Sequence, residues 1–358
     1  DEDWPTDRWY FAEGVYSNSV TWAFSTTHRI GRFATGDFWV VGPVSVEGIS
    51  PASVVTDGST RNGSMVNPVT NTLQGFDSRS NRYSAALNVG YGVGPSTPLA
   101  VANGSSLLSA VSLSAASDAS YVGKIAVLTV LDTVPDPNSF RPSYFGTDKT
   151  VNWNADDLDY DVLGALDGND VGLGATVPDL ATTTAYFRRP WVSFVISADG
   201  RTMHPVHNGM PAYGRDRSVR LGTGALLLQL NFTNEQKKDL FEYITQIGID
   251  WYGVASHAGG RTTWQPDGGH AMGHKFPILF AGKALDDEDL LSISDKSGAY
   301  LWSAKPGGGN YGPGDIPPDY IYFQEDCDTF YVDQFMVDLT LDTCISGYAL
   351  AATSNTIT

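Results

Sequence analysis

The sequence is poor in charge, in lysine and in cysteine. Only 17% of its 358 residues are charged, and it has eight lysines, fourteen arginines and two cysteines. No run of 18 apolar residues occurs, so the sequence predicts no membrane-spanning helix. It also has no phosphate-binding loop, dinucleotide fingerprint or Gly-x-Ser-x-Gly elbow, and therefore no complete catalytic signature.

The charge that is present is strongly acidic. Forty acidic residues against 22 basic ones give a net charge of −18. Such a field repels nucleic-acid phosphates and anionic lipids, which excludes both as partners. Scarce lysine with many small polar residues is typical of secreted and cell-surface proteins. The chain starts at Asp1 without an apolar leader, which we interpret as the mature N-terminus of an exported protein.

The two cysteines lie close together near the C-terminus. In an exported protein, Cys327 and Cys344 are expected to form a disulfide, worth roughly 3 kcal/mol for a loop of this size. The alternative is a pair of buried free thiols.

The composition predicts a mainly β protein with a small helical region. Residues 1–135 contain short runs rich in β-branched and aromatic residues, such as 124–131, between turns such as Gly42-Pro43 and Asn62-Gly63. This pattern favours a β-sandwich or jelly-roll-like domain. Residues 136–190 form a connecting segment rich in proline and aspartate.

Residues 191–358 are expected to form a second β-rich part with two or three helices. Apolar runs at 191–196 and 225–232 predict strands, and alternation at 335–342 predicts a C-terminal strand. One helix is predicted near 234–248, after an N-cap at Thr233 or Asn234. A second helical region is predicted near 274–291, with Pro277 in its first turn.

Residues 248–283 concentrate the unusual chemistry of the chain. Three of the six histidines lie there, together with two glycine pairs at 259–260 and 268–269. Glycine pairs allow backbone conformations that present polar side chains at a surface, so this segment is the candidate site.

The segment supports two kinds of chemistry. His270 and His274 have the i, i+4 spacing of a metal-binding pair, but Ala271 stands where a zinc metalloprotease needs Glu, and Gly273 weakens the helix. Polysaccharide lyases and some hydrolases instead pair a His or Tyr base with a cation that neutralises a sugar carboxylate. The candidate catalytic residues are His257, Arg261, Asp267, His270 and Lys275. The candidate glycan-binding residues are Trp251, Trp264 and Arg261.

The aspartates at 156–170 suggest a calcium loop. Asp156, Asp159 and Asp161 offer oxygen ligands at short spacing, but the EF-hand order of ligands is absent. The alternative is a solvated acidic loop.

Three strings resemble parts of large, mostly uncharacterised, secreted β-rich proteins of environmental bacteria. They are Gly36-Asp-Phe-Trp-Val-Val-Gly-Pro43, Asn62-Gly-Ser-Met65 and Asp267-Gly-Gly-His-Ala-Met-Gly-His-Lys-Phe-Pro-Ile-Leu-Phe-Ala-Gly282. The resemblance implies secretion, a β-rich fold and a recurring Gly/His loop. It implies no activity.

Two functions follow as hypotheses. The first is a structural subunit of an extracellular assembly, such as a filament, sheath or surface layer, in which a chain end adds a strand to a neighbouring copy. The second is a secreted polysaccharide-binding or carbohydrate-active protein, either a lyase or a glycoside hydrolase, that uses the loop at 251–275.

Overall fold

The computed structural model of the protein describes residues 9–16, 19–168, 176–188, 190–293 and 321–327. Its strands are β1 Trp9–Tyr16, β2 Thr21–Arg32, β3 Phe38–Val41, β4 Val44–Ser50, β5 Val54–Thr56, β6 Ser59–Arg61, β7 Ser64–Val66, β8 Leu99–Val101, β9 Ser105–Ser117 and β10 Ser120–Leu131. Its α-helices are α1 Leu180–Ala185, α2 Ser197–Gly200, α3 Gly214–Leu228, α4 Asn234–Ser256, α5 Lys275–Ala284, α6 Glu288–Leu291 and α7 Gln324–Cys327. The fold is mainly β, as expected, and its α-helices follow the strands.

Most of the described strands belong to one mixed sheet. The sheet has eight strands in the order β7-β9-β10-β3-β2-β4-β8, with β1 paired to β2, while β5 and β6 form a separate hairpin. β10 and β3 run parallel, and the other neighbouring strands are antiparallel. The expected β-sandwich or jelly roll is not confirmed, because the described strands form one large sheet and a hairpin.

The sheet is covered by hydrophobic side chains on both faces. Along β10, Ile125 and Val127 enter the core shared with the helices, whereas Leu128 and Val130 enter a second core formed between strands. This follows from the pleat, because successive side chains of a strand point to opposite faces. The helical part therefore packs against one face of the sheet.

The two strands expected at 191–196 and 225–232 within the second β-rich part are not formed. Residues 191–196 form no strand, and residues 225–228 are the last turn of α3. Trp191, Phe194 and Leu227 are all buried, so these apolar runs indicate burial within the core. A short apolar run has no periodicity that separates a strand from a buried helix or loop. The strand predicted at 335–342 lies outside the described residues.

Helix α4 begins as predicted and is longer than predicted. Thr233 and Gln236 form a capping box at its N-terminus, where each side chain accepts a hydrogen bond from the backbone of the other. The expected end at Gly248 is wrong, since the helix continues to Ser256. A Cβ atom on Gly248 would lie 2.1 Å from the carbonyl oxygen of Pro277, so this glycine lets α5 pack closely against α4.

The helical region predicted at 274–291 consists of two helices, α5 and α6. Pro277 lies in the first turn of α5, as predicted. Backbone N–H groups in the first turn have no acceptor within the helix, so a proline there costs no helical hydrogen bond. Asp287 caps α6 by accepting a hydrogen bond from the N–H of Leu290 at 3.0 Å. Within the described ranges, no helix is long and apolar enough to cross a membrane.

A buried ion-pair network joins the sheet to the helices. Arg141 donates to Asp37, just before β3, at 2.9 Å, and to both carboxylate oxygens of Asp250 in α4 at 2.8 and 2.6 Å. Burial raises the pKa of Asp250 to about 6, although the charge of Arg141 opposes this. Residues 136–190 also contribute Phe140 and Tyr144 to the shared core. That segment is thus part of the packed structure as well as a connection.

Candidate functional site

Residues 257–274, here called the Gly/His loop, connect α4 to α5 without a regular helix of their own. Gly268, Gly269 and Gly273 have φ angles of 56°, 89° and 90°, in the left-handed region that glycine adopts without strain. A Cβ atom on Gly214 would lie 2.2 Å from the carbonyl oxygen of Gly269. The glycines therefore let the loop backbone touch the first turn of α3.

The inner side of the Gly/His loop is a buried network around Ser193. Nδ1 of His274 donates to the carbonyl oxygen of Ala271 at 2.7 Å, so Nε2 accepts from the hydroxyl of Ser193 at 3.0 Å. Trp264 donates to the same hydroxyl oxygen at 3.4 Å, and its ring stacks on His274 with centroids 4.4 Å apart. Ser193 is only 3% exposed, so its pairing with a histidine stabilises the core and offers no nucleophile to a substrate.

A second histidine extends this network. Nε2 of His204 lies 3.3 Å from the Ser193 hydroxyl oxygen, and its Nδ1 lies 3.5 Å from the guanidinium of Arg217. Burial lowers the pKa of both His204 and His274 well below the usual range, and the positive charge of Arg217 lowers both pKa values further. Both rings are therefore neutral at physiological pH.

Arg217 lies beneath the Gly/His loop and holds its backbone. Its guanidinium donates to the carbonyl oxygen of Met272 at 3.0 Å and to that of His270 at 2.7 Å. Burial lowers the pKa of Arg217 to about 9, and the negative charge of Glu325 opposes this, so the group stays protonated at neutral pH. Two charge-assisted hydrogen bonds thus fix the part of the loop that contains His270.

Residues 321–327 hold the other edge of the Gly/His loop. The side-chain oxygen of Gln324 accepts from the N–H of Ala271 at 3.0 Å. Oε1 of Glu325 accepts from three successive N–H groups, of Gly273, His274 and Lys275, at 2.8, 2.7 and 3.0 Å. Glu325 thereby satisfies the N-terminus of α5, a role that an acidic side chain fills well.

The outer side of the Gly/His loop presents a Tyr–His–Arg cluster, here called the outer cluster. The rings of Tyr213 and His270 meet edge to face with centroids 4.6 Å apart, and the hydroxyl of Tyr213 donates to the carbonyl oxygen of Gly268 at 2.6 Å. The guanidinium of Arg215 lies 5.7 Å from the Tyr213 ring centroid. Nδ1 of His270 is buried without a hydrogen-bond partner among the described residues.

The outer cluster belongs to the most basic segment of the chain. Residues 188–220 contain six of the fourteen arginines, no lysine and two acidic residues. Their net charge is +4, in a chain whose net charge is −18. The segment ends in the first turns of α3, whose N-terminus adds a partial positive charge beside Tyr213. Of these arginines, Arg215 lies beside the Tyr213 ring and Arg217 is bonded to the Gly/His loop.

Two of the predicted catalytic residues lie beside the outer cluster, and three do not. His270 belongs to it, and Asp267 supports it by accepting from the N–H of Ala198 at 2.7 Å. Lys275 is instead ion-paired with Asp326. His257 packs against the ring of Phe145 and lines a separate cleft. The backbone carbonyl of Arg261 accepts from the N–H of Tyr322 at 2.9 Å.

The tryptophans predicted to stack on sugars are core residues. Trp251 is 0% exposed and Trp264 is 3% exposed. Their centroids are 5.8 Å apart, and both pack against His274. A buried indole has no free face, so the expectation that these two residues bind a glycan is not supported by their position.

The geometry expected of the histidine pair is also wrong. His270 and His274 do not share a helix face, because α5 begins only at Lys275 and Gly273 bends the chain between them. His270 lies in the outer cluster and His274 in the core. Among the described residues, no group of three or more His, Cys, Asp or Glu side chains is arranged to hold a metal ion.

The aspartates considered as calcium ligands contact their own segment. Asp156 accepts from the side-chain amide of Asn138 at 3.1 and 3.2 Å, and Asp159 accepts from the N–H of Asp161 at 2.8 Å. These are turn and capping contacts. Cys327 is the last described residue and Cys344 lies outside the described ranges, so the disulfide stays a prediction.

Sequence reasoning missed Tyr213, Arg215 and Arg217. All three lie outside residues 248–283, the segment in which the histidines and glycines predicted the site. The concentration of arginine at 188–220, in a chain with only 22 basic residues, was a signal that could have identified them. Comparisons of the chain with protein-family models, curated proteins and solved structures found no match.

Proposed function

We propose that this protein binds a carboxylated polysaccharide at the outer cluster. The observation that carries the proposal is the contact between Tyr213 and His270 with Arg215 beside them, in a segment of net positive charge within an acidic chain. Arg215 is exposed and can pair with a sugar carboxylate. The ring of Tyr213 is partly exposed and can pack against the apolar face of a sugar.

The same groups have the chemistry of a lyase. When Arg215 neutralises a uronate carboxylate, the proton on the adjacent carbon becomes more acidic. Tyr213, with its hydroxyl deprotonated, then serves as the base that removes this proton. The electron pair forms a carbon–carbon double bond, the glycosidic C–O bond breaks, and the leaving oxygen takes up a proton.

The test uses the full chain with polygalacturonate, alginate, hyaluronan and chondroitin. Binding is measured by affinity electrophoresis, and elimination by the ultraviolet absorbance of the unsaturated product. Tyr213→Phe should lower turnover by a factor of about 100 or more, since general acid–base catalysis contributes that much. Arg215→Ala should weaken binding of the carboxylated polymers about tenfold.

The matched control is Arg29→Ala. Arg29 is exposed on β2, so this change removes the same charge far along the chain from the outer cluster. It should leave binding and turnover unchanged. If the unmutated protein binds none of the four polymers, or if Arg29→Ala weakens binding as much as Arg215→Ala, the proposal is wrong.

A second proposal is the extracellular assembly subunit, favoured by one feature of the sheet. Strand β1 lies near the start of the chain and pairs with β2 from Trp9 opposite Gly31 to Tyr16 opposite Thr21. An edge strand such as β1 can pair with β2 of another copy instead of its own, and head-to-tail exchange of this kind produces filaments.

Electron microscopy of the protein separates this second proposal from the first. Removing residues 1–16 should abolish polymers and leave a folded monomer. The matched experiment removes residues 349–358 from the other end of the sequence. Polymers that survive both trims would exclude strand addition by either terminus. Neither trim touches the outer cluster, so glycan binding should persist.

A further inference from the structure

A concave site lies away from the outer cluster, between the segment 142–153 and the C-terminal half of α4. It is a cleft of about 280 Å³ whose lining includes Asp148, Trp153, Tyr252 and His257. This volume is at the lower end of the range for small-molecule sites, which suits one sugar ring rather than a stretch of polymer.

The wall of the cleft is fixed by a buried lysine. The ammonium of Lys149 donates to the carbonyl oxygens of Ser143, Phe145 and Gly146 at 2.8, 3.2 and 2.7 Å. A Cβ atom on Gly253 of α4 would lie 2.2 Å from the Ser143 side chain, so the wall and the helix are in direct contact. The cleft is thus held open by packing, and a ligand need not order it.

The polar groups of the cleft complement hydroxyl groups. Nδ1 of His257 accepts from the N–H of Gly259 at 3.0 Å, so the neutral ring carries its proton on Nε2 and is a donor there. Burial lowers the pKa of His257, and the charges of Lys149 and Arg261 lower it further. Asp148 accepts from both the N–H and the hydroxyl of Thr150, and these bonds lower the pKa of its carboxyl.

Two aromatic side chains supply the apolar surface that a sugar ring requires. The indole N–H of Trp153 donates to Asp287 at 2.7 Å, which fixes the orientation of the ring. Tyr252 lines the cleft from α4 and is partly exposed. Burial raises the pKa of Tyr252, and the negative charges of Asp289 and Asp287 contribute, so its hydroxyl stays neutral.

We propose that this cleft binds one neutral hexose unit, with Trp153 and Tyr252 against the ring and Asp148 and His257 on its hydroxyl groups. Among the described residues that line the cleft, Asp148 is the one charged side chain, while Lys149 and Arg261 lie behind the lining and act on His257 through their charges. An ionised carboxylate repels a uronate and accepts two hydroxyl groups well. The cleft therefore favours a neutral sugar, whereas the outer cluster is proposed to bind a carboxylated one.

The test titrates the full chain with glucose, galactose, mannose and N-acetylglucosamine, with glucuronate as the charged comparator. Saturation-transfer NMR and tryptophan fluorescence report binding. At least one neutral sugar should bind, and glucuronate should bind at least tenfold more weakly. Asp148→Asn should weaken binding of the neutral sugar about tenfold and remove the discrimination against glucuronate.

Two further variants complete the design. Thr147→Trp fills the cleft from an exposed position without removing a buried group, and should abolish binding. Asp118→Asn is the matched control, because Asp118 is an exposed turn residue with φ 47°, a conformation that Asn tolerates. No binding of any neutral sugar, equal binding of glucuronate, or unchanged binding by Thr147→Trp would overturn the proposal. Tyr213→Phe and Arg215→Ala leave the cleft intact, so the two proposed sites fail or succeed separately.

Discussion

The two sides of the Gly/His loop contain similar residue types in opposite environments. Arg215 and Arg217 are two positions apart in α3, yet the side chain of Arg215 is 75% exposed and Arg217 is 0% exposed. His270 lies in the outer cluster, whereas His274, one turn later, is buried against Trp264. On the inner side these groups hold the loop, and on the outer side they form the proposed ligand site.

This contrast shows that the role of a side chain in such a loop depends on whether it faces the core or the solvent. The inner arginine is saturated by carbonyl oxygens of the loop, and its loss would change the loop itself. In the part of the chain that the structure describes, the outer arginine contacts Asp216 and Tyr213, so its loss would change charge and little else. Paired substitutions, one on each side, therefore separate stability from binding.

The largest difference in stability is expected between an inner aromatic residue, Trp264, and an outer one, Tyr213. Trp264→Ala should lower the free energy of unfolding by about 4 kcal/mol, because it opens a cavity beside His274, Trp251 and Phe323. The comparison substitution on the outer side, Tyr213→Phe, removes one partly exposed hydrogen bond and should lower the free energy of unfolding by less than about 1 kcal/mol. Urea unfolding followed by circular dichroism measures both. Equal losses would show that the two sides do not differ.

The arginine pair should give a smaller difference. Arg217→Met keeps the length of the side chain and removes its bonds to the carbonyl oxygens of His270 and Met272, so it should lower the free energy of unfolding by about 2 kcal/mol. Arg215→Met should change it by less than about 0.5 kcal/mol. Thermal melting at neutral pH makes the comparison. A stable Arg217→Met variant would mean that the loop is held chiefly by Gln324 and Glu325.

The smallest effect concerns the acid stability contributed by the inner histidines. The folded-state pKa of His274 lies below the usual value of 6.5. Below pH 6.5 the unfolded chain therefore binds a proton at this histidine that the folded chain does not bind. Stability is therefore lost as the pH falls below 6.5, by about 1.4 kcal/mol per pH unit for each such group. His204 adds a similar contribution for the same reason.

His274→Gln should reduce the slope of stability against pH between pH 6 and pH 5 by the contribution of one histidine, about 1.4 kcal/mol per pH unit. The readout is the free energy of unfolding at several pH values, compared between the variant and the unmutated chain. A slope that is unchanged by the substitution would contradict the burial of a neutral His274.

The sequence predicted those features that depend on local chemistry. The β-rich start, the N-cap of α4 at Thr233 or Asn234, the first-turn position of Pro277 and the conformational demand of the glycines follow from backbone rules that act over a few residues. The division of the Gly/His loop into two sides does not follow from such rules. It depends on α3, which the sequence pattern presented as a strand, and on residues 321–327, about 50 positions further along the chain.

Helix α3 was missed for a physical reason. Its first half, from Gly214 to Arg220, is polar and charged, and its apolar residues are concentrated in the last turn. The helix is stabilised by burial of Arg217, Leu221 and Leu227 against distant parts of the chain. No local pattern shows that an arginine faces the core, because the acceptors that make this possible are carbonyl groups of another loop.

The contacts of residues 321–327 set the order in which this protein can mature. The N–H groups at the start of α5 and within the Gly/His loop are paired by Gln324 and Glu325. During synthesis, the sheet and helices α1 to α5 leave the ribosome before these partners exist. The part of the Gly/His loop that these residues hold can therefore take its final shape only after residue 325 has emerged.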